Sequence, residues 1–551
     1  LEGPSAVASG VQIDLHGPML HSLSLRGFRG ITSLSLQFDE LTVLLGENGC
    51  GKSTILLALD RCLGPGSSPG HLGFLKSDFS TSPGAPGEIT IEVSLVEPAD
   101  RPWSAALSEE FGPAIHLNPR NVRQIRLSVC ARRLDTGRVI EASHCLLDAR
   151  NREVPGSRRP GSLDSLRRFF PVLLLGRNQK RLAGAFRELL PRGGAEMQPG
   201  SPSRLMALGL ERAASWAQQW DSLTPEQLRA GGAAAQQLWQ SALSEFHARR
   251  GRRAARFSPL FPGSGVQRLV PLLWLRAVLE ARGPGALPPD SRPIMVLDHI
   301  EADLHPNLLR AMWYAVQSSP CQKIVTTYSA DLLADVPLES LRRLVRHQSV
   351  RVYGLQPRSL SATDRRKLGY HIRARRGSLL FSRCWLLVEG ESEFWLLPEL
   401  ARLCGFDLYA EGISCVEYAQ CGPRPLIQLA NALGIPWHLL ADGDRAGQSY
   451  VRTARNLVPG ELAGRSITSL SQPNLEQLLW DEGYAPVFRK AAGADLGPRA
   501  TIAQAVELVS KPGLVLAVIS AASQPGSPGV PPVLRQAISE AVRRARAGVL
   551  A

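Results

Sequence analysis

Two groups of residues in this 551-residue chain have types and spacings that could perform chemistry. The first is GENGCGKST at residues 46–54, which follows a short apolar run and precedes an apolar segment with helical spacing. Its glycines would let backbone N–H groups surround phosphate oxygens, while Lys52 reaches the β- and γ-phosphates and Ser53 holds Mg²⁺. We therefore expect an ATP–Mg²⁺ site. The expected nucleotide-binding residues are Gly46, Asn48, Gly49, Gly51, Lys52, Ser53 and Thr54.

Asp298 is a candidate for the same metal shell, because it ends the apolar run at residues 294–297. In ATPases with such a phosphate loop, a strand-ending aspartate helps to hold Mg²⁺. An aspartate at this place can alternatively cap a helix. The phosphate loop earlier in the chain favours the metal role.

The second group consists of carboxylates placed directly after two predicted strands. Glu389 and Glu393 follow the apolar run in RCWLLVEG, and Asp442 and Asp444 follow the run in IPWHLLADGD. The carboxyl ends of parallel strands converge in one crevice, so we expect the four acids to meet there. Such hard oxygen ligands suit Mg²⁺ or Mn²⁺, since clustered carboxylates stay ionised only when cations neutralise them. Two metal ions about 4 Å apart could clamp the attacking and leaving oxygens of a phosphodiester.

Two of the acids near the first strand fall on the helix predicted from ESEFWLLPELARLCG. Glu393 lies one helical turn beyond Glu389 and can therefore face the same site. Glu391 is better explained by the favourable effect of an acid in the first turn of a helix.

The elements that must position these groups form an α/β pattern. Strand-like runs precede helical segments at both motifs, and in the second pattern, from about residue 381, strands alternate with helices, which predicts a mostly parallel sheet there. Residues 203–257 are rich in Ala, Gln, Leu and Glu at helical spacing and predict a helical insertion. Residues 346–380 carry several arginines and are expected to be a basic linker.

The composition limits the classes of function. The formal charge of +14 favours a polyanionic partner such as DNA or RNA, although an arginine-rich surface could also reflect genome composition. The nine cysteines contain no C-x-x-C pair, so a zinc-binding framework is not expected. We expect these cysteines to be thiols that are kept reduced in a cytoplasm. No apolar run reaches the roughly 18 residues that span a bilayer, so we expect a cytoplasmic protein with no membrane partner. Residues 1–18 do not resemble a signal peptide and are expected to be a disordered tail.

Several motifs, taken in order, resemble the ABC-type ATPases of the OLD (overcoming lysogenization defect), RecF and SMC group. The motifs are FRGI, GENGCGKST, GSGVQRL, LDHIEADLHP and TTYSADLL. The later V-E-G and D-G-D motifs resemble TOPRIM, a fold shared by topoisomerases, primases and OLD nucleases. Together they resemble the OLD family, and within it a branch of bacterial ATP-dependent endonucleases.

The resemblance implies roles for particular residues. Ser264 and Gly265 would contact the γ-phosphate bound to another subunit, which implies a homodimer or a higher homo-oligomer. Glu389, Glu393, Asp442 and Asp444 would be metal ligands, and Glu476 in PNLEQLL would complete the second metal site. Lys511 in SKPG would stabilise transition-state charge, although a lysine before proline is also an ordinary solvated residue at a helix end.

The chain departs from the group's pattern at two positions. His299 stands directly after Asp298, where the group usually has a glutamate that polarises water. Tyr328 stands where the group often has a histidine. A neutral imidazole could still act as a base and Glu301 is near in sequence, but we expect slow ATP turnover and a clamp-like role for ATP.

The expected domains follow from the motifs. An α/β ABC-type ATPase domain with the helical insertion covers residues 19–345. The basic linker covers 346–380, and a Rossmann-like TOPRIM domain with C-terminal helices covers 381–551.

The favoured function is a two-metal DNA endonuclease or nickase controlled by its ATPase domain. The alternative is a non-catalytic clamp or recombination or repair mediator of the RecF/SMC kind, which leaves four aligned carboxylates without a purpose. A topoisomerase would need a separate tyrosine module and a primase a zinc module, and a pump would need membrane spans. A helicase or another repair or phage-defence protein is a possible partner.

Two basic clusters could contact DNA phosphates. Alternatively, they could be solvent-exposed charged residues of a linker with no binding role. One surrounds Arg249 and the other runs from Arg365 to Arg376. No base-reading module is present in the sequence, so we expect recognition that depends on DNA structure or ends.

Overall fold

The computed structural model describes residues 19–64, 72–80, 87–99, 102–134, 140–175, 291–302, 306–317, 321–356, 359–375, 377–458, 463–493 and 501–550. Four expectations lie outside these residues: the tail at 1–18, the helical insertion at 203–257, the cluster around Arg249, and the signature residues Ser264 and Gly265. The chain divides into two compact units. Unit 1 comprises Leu1–Leu44 and Gly51–Tyr328, and unit 2 comprises Leu45–Cys50 and Ser329–Ala551.

The elements up to residue 328 form two sheets flanked by helices. The strands are β1 (Leu20–Phe28), β2 (Ile31–Gln37), β3 (Leu41–Leu45), β4 (Glu88–Val96), β5 (His116–Leu117), β6 (Arg123–Arg133), β7 (Ile140–Leu147), β8 (Val172–Leu175), β9 (Ile294–Leu297) and β10 (Gln322–Thr326). The helices are α1 (Lys52–Leu63), α2 (Ala105–Phe111), α3 (Pro160–Phe169) and α4 (Pro306–Gln317), with 3-10 turns at Lys76–Asp78 and Gly112–Ala114.

The first sheet is antiparallel, with strand order β2-β1-β4-β6-β5, and β7 also pairs with β6. Its strands alternate between buried apolar and more exposed polar residues, as in β1, where Leu23 and Leu25 are buried and Ser22 and Ser24 are half-buried. This period of two is the reason the sequence forms strands with one face on the core.

The second sheet of unit 1 places β3, β10, β9 and β8 side by side in parallel. Every residue of β9 and β10 is buried, which is typical of parallel strands covered on both faces. The carboxyl ends of β3, β9 and β10 point to the same edge, and there the chain continues into the phosphate loop, Asp298 and Thr327 respectively.

Unit 2 contains an antiparallel hairpin and a parallel sheet. Its strands are β11 (Leu341–Arg346), β12 (Val350–Gly354), β13 (Cys384–Val388), β14 (Ile413–Glu417), β15 (Trp437–Ala441) and β16 (Ile467–Ser469). Its helices are α5 (Ala330–Leu333), α6 (Ala362–Arg375), α7 (Glu391–Leu403), α8 (Pro423–Ala432), α9 (Arg445–Arg455), α10 (Ala463–Ser466), α11 (Leu475–Leu479), α12 (Ala485–Ala492), α13 (Ile502–Leu508), α14 (Lys511–Ala522) and α15 (Pro532–Leu550). A 3-10 turn at Leu338–Ser340, another at Gly377–Phe381 and a π turn at Trp480–Tyr484 complete it.

The parallel sheet of unit 2 has the order β14-β13-β15-β16. One core joins its strands to helices α7, α14 and α15, through buried residues such as Leu386, Leu397, Leu440, Val518 and Ile538. The sequence predicted a mixed α/β fold with a mostly parallel sheet in the C-terminal part, and both are confirmed. Residues 346–380, expected to be a linker, contain a strand, Val350–Gly354, and a helix, Ala362–Arg375.

Among the described residues, no single helix has the length and apolar character needed to cross a membrane. One sharply bent pair, Ile502–Leu508 with Pro512–Ala522, would qualify by length and composition only.

Candidate functional site

The phosphate loop lies between β3 and α1 and depends on its glycines. Gly46, Gly49 and Gly51 have φ angles of 143°, 79° and 104°, a region that side-chain-bearing residues rarely adopt. A Cβ on Gly46 would lie 2.4 Å from the carbonyl oxygen of Leu344, so the backbone approaches too closely for any other residue. Helix α1 begins immediately after Gly51, so its N-terminal N–H groups face the loop, as phosphate binding requires.

Lys52 is buried, and its ammonium group is held by an aromatic side chain. Its Nζ donates a hydrogen bond of 2.7 Å to the hydroxyl of Tyr328 and lies 4.3 Å from the centre of the Tyr328 ring. The Tyr328 ring stacks on His299, with ring centres 4.9 Å apart and planes inclined by 23°. The two residues that depart from the family pattern therefore contact each other, and one of them contacts the loop lysine.

Asp298 lies at the carboxyl end of β9 and is fixed by two hydroxyl groups. Thr326 Oγ1 donates to Asp298 Oδ1 at 2.7 Å, and Ser53 Oγ is 3.5 Å from the same oxygen. The structure thus brings Ser53 and Asp298 together, as the sequence led us to expect. A serine hydroxyl and a carboxylate on adjacent sides of a phosphate loop fit a nucleotide with its Mg²⁺.

Glu301 is the carboxylate nearest to the residues that follow β10. Its two oxygens accept hydrogen bonds from the Tyr328 backbone N–H at 2.7 Å and the Thr327 hydroxyl at 2.8 Å. His299 adopts φ 54°, an unusual conformation for a non-glycine residue, and its backbone N–H donates to the Thr326 hydroxyl at 3.0 Å. Glu301 therefore orders the segment that carries Tyr328, a role that its sequence position did not reveal.

The acidic group lies at the carboxyl ends of β13 and β15 in unit 2. Glu389 follows β13 directly, and Asp442 follows β15 directly. Two glycines make room for the turn after β15: a Cβ on Gly443 would lie 2.5 Å from the Gln472 carbonyl oxygen, and one on Gly447 would lie 2.0 Å from the Asp442 carbonyl oxygen. Asp444 caps helix α9, accepting a hydrogen bond of 2.7 Å from the Gly447 N–H.

Electrostatic crowding is the main property of this group. Burial raises the pKa of Asp442 to about 8, and the negative charges of Glu393, Glu389, Glu476 and Asp444 add to the effect. Burial also raises the pKa of Glu393, a residue that is only 6% exposed, and the charges of Glu476 and Glu389 add to the effect. The five acids selected from the sequence therefore act on one another in the folded chain.

The individual side chains hold different local positions. Glu393 accepts a hydrogen bond of 3.1 Å from the Gly390 N–H, and Glu476 accepts one of 3.3 Å from the Ser392 hydroxyl. Glu391 is exposed on the first turn of α7, with Trp395 Nε1 3.4 Å from its carboxylate. Among the described residues, no three Asp, Glu, His or Cys side chains are arranged closely enough to hold a metal ion as they stand. The donor chemistry and the mutual repulsion of these carboxylates fit divalent cations.

Tyr418 belongs to the same region, and sequence reasoning missed it. Its side chain is fully buried, and its hydroxyl donates a hydrogen bond of 3.0 Å to the Leu440 carbonyl oxygen. Its backbone N–H donates to the Val388 carbonyl at 2.9 Å, so it links the ends of β13 and β15. Burial and the charges of Glu389 and Asp442 raise its pKa, so the phenol stays neutral. A tyrosine directly after the apolar strand GISCVE was the available signal.

Lys511 is the first residue of α14, after the N-cap Ser510. The position of its side chain lies outside the described part of the structure. Its proposed role in catalysis therefore stays a prediction.

Comparison with known proteins connects both parts of the chain to one family. A family profile described as "Protein of unknown function (DUF2813)" matches residues 19–189 and 262–379, and one described as "Overcoming lysogenization defect protein-like, TOPRIM domain" matches residues 380–444. "Uncharacterized protein YbjD" of Escherichia coli (strain K12) is 32% identical over 572 residues, which cover 96% of this chain and 99% of that protein. The chain belongs to the OLD family.

Each of the solved structures similar to this OLD-family chain covers only a portion of it. The C-terminal region of the Burkholderia pseudomallei OLD protein is 21% identical and covers 30% of this chain and 98% of that chain, with a TM-score of 0.26. The SMC head domain from Thermotoga maritima is 17% identical and covers 62% of this chain and 100% of that chain, with a TM-score of 0.31.

Family membership gives the two groups of residues their context. The chain is an α/β OLD-family protein with a TOPRIM domain in its C-terminal part. Both V-E-G and D-G-D lie within the matched TOPRIM segment, which ends at Asp444. TOPRIM domains generally use divalent metal ions.

Proposed function

We propose that this chain is an ATP-binding, metal-dependent DNA endonuclease or nickase. Phosphodiester hydrolysis would take place in the TOPRIM domain, for which we propose residues 381–551, under control of an ATPase domain at residues 19–345. The observation that supports the proposal most is the set of carboxylates around Asp442. Burial and four neighbouring acids raise the pKa of Asp442 to about 8. Keeping this carboxyl ionised is therefore costly unless cations occupy the site.

We assign the metal ligands to the five interacting acids: Glu389, Glu393, Asp442, Asp444 and Glu476. Bound Mg²⁺ or Mn²⁺ would supply charge stabilisation for the attacking and leaving oxygens of the phosphodiester. Tyr418, neutral and hydrogen-bonded to Leu440, fixes the spacing between the two strands that carry the acids. Lys511 is assigned to the negative charge that develops on the phosphate.

ATP is assigned a controlling rather than a driving role. Lys52, Ser53 and Asp298 supply the charge and hydroxyl contacts of a nucleotide site, but the residue after Asp298 is an imidazole stacked on Tyr328. Without a carboxylate directly at that place, turnover is expected to be slow. Ser264 and Gly265 are assigned to a nucleotide bound by another copy of the chain, so the working unit is a homodimer or a higher homo-oligomer.

DNA is the proposed partner, consistent with the charge of +14. Arg365, Arg366 and Lys367 are exposed on α6, where Arg365 is also bound to Glu339 at 3.0 Å. We expect these three side chains to contact DNA phosphates, and such contacts weaken steeply as salt is added.

A plasmid cleavage assay tests the proposal directly. Purified full-length protein is incubated with supercoiled DNA in Mg²⁺ or Mn²⁺, with and without ATP, beside a variant carrying Asp442→Ala and Asp444→Ala. Metal-dependent nicking that the double variant lacks is the expected result. Cleavage that persists in the double variant would remove the TOPRIM assignment.

A second candidate function is a non-catalytic, ATP-dependent DNA clamp or repair mediator. Two observations favour it: the described acids are not arranged to hold a metal ion, and His299 replaces the expected glutamate. A wild-type protein that binds DNA in an ATP-dependent manner, but cleaves none in either metal, would select this function.

A further inference from the structure

The phosphate loop has an ion pair with the residue that precedes the first TOPRIM strand. Glu47, the second residue of the loop, accepts hydrogen bonds from Arg383 Nε at 2.6 Å and from Arg383 Nη2 at 3.3 Å. The two-pronged geometry holds the Glu47 carboxylate in one orientation. The pair is partly accessible, with side-chain exposures of 38% for Arg383 and 53% for Glu47.

The backbone of the same loop is held by strand β11. Arg346 Nε donates a hydrogen bond of 2.8 Å to the Gly49 carbonyl oxygen. On the same strand, the Leu344 carbonyl approaches Gly46 so closely that a Cβ there could not be accommodated. Residues 45–50 group with unit 2, whereas Gly51 and helix α1 group with unit 1. The first half of the phosphate loop is therefore shaped by residues that lie C-terminal to the ATPase core strands.

Strand β11 is tied in turn to the segment that carries Arg383. Arg343, only 7% exposed, donates to the carbonyl oxygens of Ser382 at 3.1 Å, Gly434 at 2.7 Å and Leu433 at 3.2 Å. Ser382 is the neighbour of Arg383, and Gly434 lies three residues before β15. One buried guanidinium thus connects the loop-shaping strand to the entrances of both acid-bearing strands.

Arg383 itself is anchored at the start of β13. Its backbone N–H donates to the Gly412 carbonyl oxygen at 2.8 Å, and a Cβ on Gly412 would make a tight contact of 3.0 Å with Arg383 Cγ. Strand β13 runs from Cys384 to Val388, and Glu389 follows it. Arg383 and Glu389 therefore occupy opposite ends of one short, buried strand.

We propose that Arg383 is a positioning residue of the phosphate loop and that, through its pair with Glu47, nucleotide binding and the TOPRIM strand β13 affect each other. The proposal rests on the proposed function, because it assumes a nucleotide in the loop and a reaction at Glu389. A nucleotide that draws the loop around its phosphates changes the position of Glu47, and the bound guanidinium moves or releases with it. Linkage is reciprocal, so occupancy of the acidic site also changes nucleotide affinity.

Nucleotide affinity of the full-length protein is the first measurement. Arg383→Gln and Glu47→Gln are each expected to weaken ATP binding about five-fold, the upper range for an exposed ion pair. The double variant is expected to bind no more weakly than either single variant, since the two residues act as one unit. Arg383→Lys keeps the positive charge and is expected to retain more ATP affinity than Arg383→Gln. It also provides a second test of the pair if Arg383→Gln does not fold.

Arg402→Gln is the matched control. Arg402 is an exposed arginine of the same unit, paired with Glu399 at 2.7 Å on helix α7, and its removal is expected to leave ATP affinity unchanged. ATP affinity within two-fold of wild type in Arg383→Gln, or additive effects of the Arg383 and Glu47 substitutions, would overturn the proposal.

Plasmid cleavage is the second measurement, taken as the ratio of rates with and without ATP. The ratio is expected to move towards one in Arg383→Gln, and an unchanged ratio would show that no coupling passes through this pair. If the wild-type protein cleaves no DNA, the proposed nuclease function is wrong. The ATP affinities of the variants would still test the positioning role of Arg383. A wild-type protein that binds no ATP defeats both.

Discussion

The nucleotide region and the acidic region handle their charges in opposite ways. In the first, each charged group already has a partner of this chain: Lys52 has the Tyr328 hydroxyl, and Asp298 has the hydroxyls of Thr326 and Ser53. In the second, Glu393, Asp444 and Glu476 also accept hydrogen bonds, but the carboxylates act on one another as well, and the pKa of Asp442 rises to about 8. The charged groups of the nucleotide region are thus held by hydroxyl groups, whereas the acidic region is under electrostatic strain that a cation would relieve.

The largest expected effect comes from removing carboxylates of the acidic region. With Asp442→Ala and Asp444→Ala together, metal-dependent cleavage should fall at least about a thousand-fold, because metal charge stabilisation is worth several kcal/mol. ATP affinity, measured on the same protein, should remain within two-fold of wild type.

A neighbouring acid provides the control for that prediction. Glu391 is exposed on α7, next to the cluster, and Glu391→Ala should retain cleavage. Equal losses in Glu391→Ala and the double variant would mean that general negative charge, rather than the assigned ligands, supports the reaction.

A large pH effect is expected at the other end of strand β15. His438 is 1% exposed with Nε2 2.9 Å from the Thr468 hydroxyl, and burial lowers its pKa to about 4. The unfolded chain takes up a proton near pH 6.5, whereas the folded chain resists it. The contribution of His438 to the free energy of unfolding should therefore be fully present above pH 6.5. The free energy of unfolding should then fall by up to about 3 kcal/mol as the pH drops towards 4.

Denaturant unfolding at several pH values measures this loss. His438→Leu removes the titrating group, so its free energy of unfolding should fall less between pH 6.5 and 4 than that of wild type. Parallel pH profiles for the two proteins would mean that His438 is protonated in the folded state. Strand β15 would then hold no group that stays neutral by losing a proton, and the contrast with Asp442, which is favoured neutral by gaining one, would fail.

Much of this contrast could be predicted from the sequence, and some of it could not. The glycine spacing of the phosphate loop and the acids after apolar strands identified both regions, because strand ends and tight turns leave local patterns. The contact between Lys52 and Tyr328 joins residues 276 positions apart, and the Glu47–Arg383 pair joins residues 336 positions apart. No local pattern encodes such pairs, since they depend on the order of strands in the folded sheets.

The basic stretch at residues 346–380 shows a different limit of sequence reasoning. Its arginines suggested a linker, yet the segment forms strand β12 and helix α6. Buried Leu368 and Ile372 lie four residues apart on α6, a helical spacing that the surrounding charges obscured. Charge density on the exposed face of a helix does not indicate that the backbone is irregular.

Removing the loop lysine should have a moderate effect, confined to the nucleotide region. Lys52→Ala should weaken ATP binding by roughly 10- to 100-fold, the value of one or two charge-assisted hydrogen bonds to phosphate. Lys323→Ala, which removes another buried lysine of unit 1 that lies 4.0 Å from Glu40, is the control and should bind ATP normally. Unchanged affinity in Lys52→Ala would contradict the phosphate-loop assignment.

The smallest expected effect tests the strain in the acidic region itself. Asp442→Asn keeps the shape of the side chain but removes a carboxylate that its neighbours disfavour. In EDTA, the variant should therefore be more stable than wild type by about 1 kcal/mol, or roughly 2–4 °C in Tm for a domain of this size. Adding Mg²⁺ should raise the Tm of wild type more than that of the variant, because only wild type retains the full ligand set. A variant that is less stable than wild type in EDTA would show that the Asp442 carboxyl is satisfied by the protein alone, and the contrast between the two regions would then fail.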